Sequence, residues 1–456
     1  MKITVNTTKK HQIFSGFGAS GAWWAQIVGG WENIDTQSNM TTRDKIAQLL
    51  YNPEKGIGLL SYRYNLGTDS AFSDKGIYSD SARRTESFSD GKGGYDFSKD
   101  KNAVYMMEKA VEEGAKEIVF FVNSPLEAMT RNGLAHHSKM DFFKTNLKKD
   151  CAEDFCKYTL DVTEHFVKKG LPIKYISPVN EPLWKWDGGQ EGCHYSPKEA
   201  FKVMELFAKE IKKRPALSGV KLSGMENGDI RWFNKSYTRA MLKSPLVREL
   251  SDGIDFHSYF IVPRIKGIEI PFIRKRIPYL KRFRKWMDRN YPGVPLKMSE
   301  WTHMQGGRDC SMNSALEMAK IMYEDLSILN VTTWQHWIAC SHYDYCDGLI
   351  YLNTENQTFE LTKRFFVTGN FSKYIPENAT RIECCCDDKD IMIVAFCKDE
   401  KTVLVIINST TKEKKLTLDQ AATLVVTNDE RNLQEAQIPK GTEIIITPRS
   451  VNTIIY

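Results

Sequence analysis

A (β/α)8 barrel, or TIM barrel, with an attached β-sandwich is the fold predicted by this chain of 456 residues. Three observations predict it. Eight short apolar runs each stop at polar or aromatic residues, as strands covered on both faces do when they reach the mouth of a parallel sheet. Helical periodicity fills the intervals between them. Past residue 364 that alternation gives way to short strands separated by turns, the mark of an all-β unit. Eight strands close a barrel, so the barrel is assigned to residues 12–364 and the sandwich to 1–11 plus 365–456. No repeat or low-complexity linker separates the two, and they are expected to pack together.

Residues 2–14 read as one or two short strands, KITVN and HQIF, and the first barrel strand is placed at 13–18. It opens into GFGASGAWW at 16–24, where glycines permit tight turns and the strand end delivers Trp23 and Trp24 to a cleft. The segment is not a dinucleotide-binding fingerprint, because no apolar helix and no acidic residue on a second strand follow it. A helix over 41–51, with Thr42 as N-cap, leads to a strand over 59–66 that ends near Gly67. Helix 103–113 and a strand over 118–122, ending in Asn123, come next.

Helix 150–169 precedes the strand over 173–179, which stops at Asn180-Glu181-Pro182. Pro182 cannot extend a central strand. Glu181 is therefore placed at the C-terminal mouth, where parallel α/β proteins bind ligands. Helix 197–213, a strand over 220–223 running into Gly224-Met-Glu226-Asn227, helix 239–250 and a strand over 254–257 ending at Ser258-Tyr259 follow. The basic stretch 274–285 alternates with Ile277, Leu280, Phe283 and Trp286. It reads as an amphipathic helix with a solvated face, the alternative being contact with an acidic partner. The strand over 296–301 carries Glu300, helix 314–329 follows it, and the strand over 332–337 is the eighth. The tail strands are 390–396, 402–407, 415–418, 422–426, 442–447 and 451–455.

Composition narrows the function. A formal net charge of +6 is small for this length and gives no reason to expect a nucleic-acid partner. No apolar run is long enough to span a bilayer, and residues 1–20 lack the apolar core of a signal peptide. The expectation is a cytoplasmic protein with no membrane partner, or a secreted one if a leader was removed. Ten cysteines show no CxxC pairing and no Cys/His ligand spacing, so no metal is expected, and Cys384-Cys385-Cys386 is too crowded for a disulfide framework. Reduced thiols are the reading.

The predicted barrel mouth collects Arg63, Asn65, Asn123, Asn180, Glu181, Glu226, His257, Tyr259, Glu300 and Trp334. A single Glu in a turn is ordinarily no more than a surface residue. Glu181 and Glu300, however, end the fourth and seventh strands and face one another across the mouth. Two carboxylates flanking a space lined by aromatics are what cleavage of a glycosidic bond requires: one protonates the leaving oxygen, and the other attacks the anomeric carbon or activates water. No Ser-His-Asp order, phosphate loop or metal cluster competes with them.

These residues resemble the clan A glycoside hydrolases, and within them family 30. The resemblance rests on GFGASGAWW, RYNLG at 63–67, SPVNEP at 177–182, QEG at 190–192, MSEWT at 298–302 and GNFSKYIPENATRI at 369–382, in the expected order and across essentially the whole chain. It implies a retaining mechanism without a cofactor, acting on a carbohydrate substrate, with Glu181 in the place of the acid/base and Glu300 in that of the nucleophile. Charge on Glu300 would keep a proton on Glu181 until a glycosyl-enzyme forms.

Asn180 resembles the family's asparagine that grips the hydroxyl beside the reacting carbon. Arg63 would hold Glu300 ionised, and Tyr259 would donate to it. His257 either orients a catalytic neighbour or is a satisfied core histidine. Trp334, or else Trp337, is the candidate platform under the sugar, and Trp23, Trp24, Trp184 and Trp186 are candidate walls or core. Glu226 binds a sugar hydroxyl or is structural. The family includes enzymes for β-1,6-galactan, β-1,6-glucan, xylan, glucosylceramide and simple β-glycosides. The QEG segment and the double Trp resemble the β-1,6-galactanase-like branch; an exo-acting β-glucosidase, β-xylosidase or a xylanase is the alternative. A carbohydrate-binding barrel without activity is argued against by the presence of both glutamates.

Overall fold

The computed structural model describes residues 1–35, 38–73, 80–137, 144–231, 234–260, 264–265, 268–269 and 276–456. The chain opens with one long strand, β1 (Ile3–Phe14), and then builds eight barrel strands: β2 (Gly16–Ser20), β3 (Ser61–Asn65), β4 (Glu117–Phe121), β5 (Ile173–Ser177), β6 (Lys221–Leu222), β7 (Ile254–His257), β8 (Leu296–Trp301) and β9 (Val331–His336). They hydrogen-bond in the order β6-β5-β4-β3-β2-β9-β8-β7. A parallel bridge between Asn227, just past β6, and Phe256 of β7 closes the ring. The apolar runs form these strands because both faces are covered, by barrel-interior side chains on one side and by helices on the other.

The helices between them bury one stripe each. In Pro197–Lys212 that stripe is Ala200, Val203, Met204, Phe207, Ala208 and Ile211, and its start is fixed by a capping box between Ser196 and Glu199. Thr41, not Thr42, caps the helix Thr42–Tyr51, accepting from the Asp44 N–H at 3.3 Å. The segment predicted as one helix over 239–250 is two, Asn234–Met241 and Pro245–Leu250. Ser244 caps the second, and Pro245, which has no N–H to give, fits only its first turn. The helix predicted over 314–329 runs as Met312–Glu324 and then widens into a π-turn, Asp325–Leu329. In the basic helix Arg276–Asn290, Leu280 and Phe283 are buried, but Ile277 is exposed. Arg274 lies outside the described residues. Arg276 is not on a solvated face: it pairs with Glu324 and Asp325 at 2.7 and 2.6 Å.

The second unit is a seven-stranded antiparallel sheet in which β1 pairs with Ala379–Cys386. The predicted first barrel strand therefore starts later than expected: Ile13 and Phe14 belong to this sheet, and β2 begins at Gly16. Strand alternation splits the sheet's two faces. Val403, Val405 and Ile407 join the barrel core, while Leu404 and Ile406 join a second core beneath Leu416, Ile444 and Ile446 of a two-stranded ribbon. All ten cysteines are free, with Cys385 exposed.

Candidate active site

Arg63 on β3 is the hub of the mouth. Its guanidinium is fully buried, lies 3.7 Å over the Phe121 ring, and donates to Glu300 Oε2 at 2.7 Å, to Asn180 Oδ1 at 2.8 Å and to Glu226. Removing a partner from such a buried pair leaves an uncompensated charge, at a cost of about 3–5 kcal/mol. Asn180 passes the chain on, donating to Asn123 Oδ1 at 3.0 Å, and Asn123 donates to Asn65 at 3.2 Å.

Glu300 reaches this position through an irregularity in β8. Met298 faces Phe256 and Glu300 faces His257 on the neighbouring strand, so Ser299 is unmatched and the ladder slips by one residue. The Tyr259 hydroxyl donates to Glu300 Oε1 at 3.1 Å. Glu181 is set by its backbone: φ is +44°, in the left-handed region, and its N–H donates to the Glu226 carbonyl at 2.9 Å. A non-glycine residue held there stores on the order of 1–3 kcal/mol, as is common at functional sites.

His257 connects the carboxylates. Its Nδ1 lies 2.7 Å from Glu181 Oε1 and 3.4 Å from Glu300 Oε1, and its Nε2 lies 3.1 Å from Glu226 Oε2. Burial opposes a charged imidazole, but the negative charge of Glu300 and hydrogen bonds to Glu181 and Glu226 override it and hold the ring's pKa up at about 10. Burial pushes Glu226 up, yet the Arg63 charge and the His257 bond prevail and hold it down at about 2. Glu300 is raised, chiefly by burial, against the pull of His257 and Arg63. One donor atom from each of Glu181, His257 and Glu300 lies within 4.8 Å of the others, a spacing that would suit a metal. Both nitrogens of His257 are already engaged by carboxylates, so the proton it carries does the work a cation would do there.

Above these groups opens a cleft of about 560 Å³. Trp23, Trp184, Trp186, Trp337 and Met304 line it, with Asn123, Asn180, Glu181, Tyr259 and Glu300 at its floor and sides. Trp23 stands edge-on to Trp337 at 5.1 Å. A predicted wall residue, Trp24, and the predicted platform, Trp334, are not in the cleft. Trp24 is wholly buried with its indole N–H donating to the Ser20 carbonyl, and Trp334 is wholly buried and donates to Asp325 Oδ2 at 3.1 Å. The eighth barrel strand ends at His336, one residue earlier than expected, which leaves Trp337 to turn into the cleft. Glu226 is also wholly buried and is not among the residues that line the cleft.

Sequence reading missed Gly228. A Cβ there would fall 2.2 Å from Trp184 Nε1 and 2.5 Å from Glu181 Oε1, so only glycine leaves room for both. Its place directly after Glu226-Asn227 at a strand mouth was the one available signal. Glu191 of the QEG segment was quoted only as a motif. It is buried and accepts from the hydroxyls of Thr68, Ser70 and Thr85, which ties the loop bearing Trp184 and Trp186 to the segment after β3. Burial raises Glu191 to about 7, against the pull of those hydroxyls.

A sequence model of O-glycosyl hydrolase family 30 matches residues 1–245 and 296–351. An endo-β-1,6-galactanase from Hypocrea rufa is 24% identical over 405 residues, which is 82% of this chain and 74% of that protein. Among solved structures, a conserved exported protein from Bacteroides fragilis superposes with a TM-score of 0.87 at 23% identity, over 100% of both chains. A family 30 endoxylanase from Clostridium papyrosolvens superposes with a TM-score of 0.70 at 19% identity, over 100% of this chain and 99% of that one. Both share its fold. No helix among the described residues is long and apolar enough to cross a membrane.

Proposed function

We propose, from the premise that this chain belongs to O-glycosyl hydrolase family 30 and is a glycoside hydrolase, that it hydrolyses β-1,6-linked galactan or galacto-oligosaccharides with retention of configuration. Glu300 is the nucleophile and Glu181 the acid/base. The observation that carries the mechanism is the proximity of the two carboxylates, an oxygen of each lying within 4.8 Å of the other. Inverting enzymes need about 6.5–9.5 Å between the carboxyls to admit a water, whereas retaining ones hold them about 5–5.5 Å apart.

The steps follow from the contacts. Arg63 and Tyr259 each donate to one oxygen of Glu300, aiming it and favouring its charged form against burial. Glu300 attacks the anomeric carbon as the bond to the leaving oxygen breaks, and Glu181 gives that oxygen a proton. The carboxylate thus formed on Glu181 accepts from His257 Nδ1 at 2.7 Å, so the charge that appears in the first step meets a donor already in place. Water then attacks the glycosyl-enzyme, Glu181 takes up its proton, and Glu300 leaves. Asn180 and Asn123 offer amides to the sugar hydroxyls, and Trp337 and Trp23 offer apolar surface to its ring.

The name of the Hypocrea rufa relative supports the substrate, together with the QEG segment and the double Trp. A panel of aryl β-glycosides and linkage-defined disaccharides, with β-1,6-galactobiose among them, tests it. NMR of the first anomer released tests the mechanism: an inverted product rejects retention, and faster turnover of a β-1,4-xyloside than of any galactoside rejects the substrate.

A further inference from the structure

The cleft is walled unevenly. Its lining comes from the ends of β2 (Trp23), β4 (Asn123), β5 (the loop from Asn180 to Gln190), β6 (Gly228), β7 (Tyr259), β8 (Glu300) and β9 (Trp337). Among the described residues, those between β3 and β4 contribute nothing to that lining. There a 3-10 turn, Ser81–Arg83, sets Arg83 across the gap. The Arg83 guanidinium lies 4.5 Å over the Trp23 ring and 4.9 Å over the Tyr343 ring. Its Nε donates to the Tyr343 hydroxyl at 3.3 Å, and its Nη1 donates to the Gly189 carbonyl at 3.4 Å. Asp80 balances the charge at 3.4 Å. One side chain therefore ties together the loops that follow β2, β5 and β9. Trp23, which it covers, is wedged between Trp337 and Tyr343 at 5.1 and 6.0 Å.

The direction of the substrate follows from the acid. The leaving oxygen must face Glu181, so the leaving part of the chain extends past Glu181 toward Trp184 and Gly228, which crowd that carboxylate. With Glu181 as the acid, the sugar that forms the glycosyl-enzyme would lie on the other side, toward the lining residues Asn123, Trp337 and Trp23. Past Trp23, which lines the cleft, stand Arg83 and Tyr343, held to one another and to Gly189.

We propose that Arg83 is a specificity-determining residue that closes the glycone end of the cleft, so that the enzyme trims chains from the non-reducing end and does not cut them internally. This rests on Glu181 being the proton donor. An internal cut would require several sugars beyond the reacting one, and on this proposal the bridge that Arg83 makes to Tyr343 and Gly189 stands in their way. A guanidinium suits the role because its flat face stacks on two rings while its edge donates to a third loop.

The test compares the full chain with its Arg83→Ala and Arg83→Lys variants on the β-glycan built of the sugar and linkage that the panel shows to be cleaved fastest, and on the same glycan blocked at its non-reducing ends. Products are followed from the first per cent of cleavage. The wild type is expected to release one short sugar, to shorten the polymer slowly and to lose at least tenfold in rate on the blocked glycan. Arg83→Ala, and Arg83→Lys, which keeps the charge but cannot span the three contacts, should yield longer fragments and narrow that loss severalfold. A ladder of internal fragments from the wild type, or the wild-type product pattern from both variants, would overturn the proposal. Glu181→Gln and Glu300→Gln run alongside separate the two readings. If they stay active, the assignment of the catalytic pair fails; if they are inactive and the Arg83 variants change nothing, only the closed end fails.

Discussion

A Cβ on Gly228 would stand 2.5 Å from Oε1 of Glu181, closer than any ordinary contact allows. The side chain proposed to carry the proton is thus positioned by the absence of another one, contributed by a different strand. Gly228→Ala should push Glu181 or Trp184 aside and cost on the order of 10²-fold in kcat/KM, the usual penalty for a misplacement of about 1 Å. Thermal unfolding should shift by only a few degrees. An alanine variant with wild-type kinetics would show that the crowding is relieved elsewhere.

The two carboxylates should separate by their dependence on the leaving group. Glu181→Ala is expected to lose about 10²–10⁴-fold on unactivated substrates. It should lose far less on dinitrophenyl glycosides, whose leaving oxygen needs no proton. Glu300→Ala should be inactive on both classes, because no covalent intermediate can form. Steady-state rates on paired substrates decide it, and equal losses for Glu181→Ala on the two classes would contradict its role.

His257 makes stability depend on pH. Its folded pKa of about 10 lies above the ordinary histidine value of 6.5. The stabilisation is therefore complete below about pH 6.5 and is lost as pH rises through about 10. Urea unfolding of wild type and His257→Gln across this range should show a difference on the order of a few kcal/mol at pH 6 that shrinks toward pH 10. A difference that grows with pH would mean the ring is neutral in the folded protein.

Trp337 and Trp334 should fail in different ways. Trp337→Ala removes a wall of the cleft and should raise KM about tenfold or more while leaving unfolding nearly unchanged. Trp334→Phe removes the donor to Asp325, with an expected cost of about 1–3 kcal/mol in stability and little change in KM. Calorimetry and initial rates on both variants check the contrast.

That contrast also marks how far sequence reading reached. The eight strands and their polar ends were legible because burial on both faces writes continuous apolar runs that stop where the strand does. Trp334 and Trp337 were not separable, because the end of β9 decides between them and a shift of one residue reverses which face a strand side chain takes. The break before Pro245 was legible in principle from the proline. Gly228, and the bonding of His257 to Glu181 and Glu226, depend on contacts between strands far apart in sequence, which no local pattern records. Arg83 sits in a stretch with no periodicity to read.

The pairing of β1 with Ala379–Cys386 has a consequence for how the chain is assembled. Ile3 is matched to Cys386, so β1 must wait for a strand that begins only at Ala379 before it has a partner. Non-local closure of this kind slows folding and exposes unpaired strand edges in the interval. During synthesis β1 is an orphan ribbon with Val5 and Ile13 uncovered, and the barrel has to hold together without it. Removal of residues 379–456 would make that interval permanent. The shortened chain should keep the helical signature of a barrel yet aggregate through its first strand, and a charged substitution at Ile13, which is exposed in the finished sheet, should suppress this at little cost to the native protein.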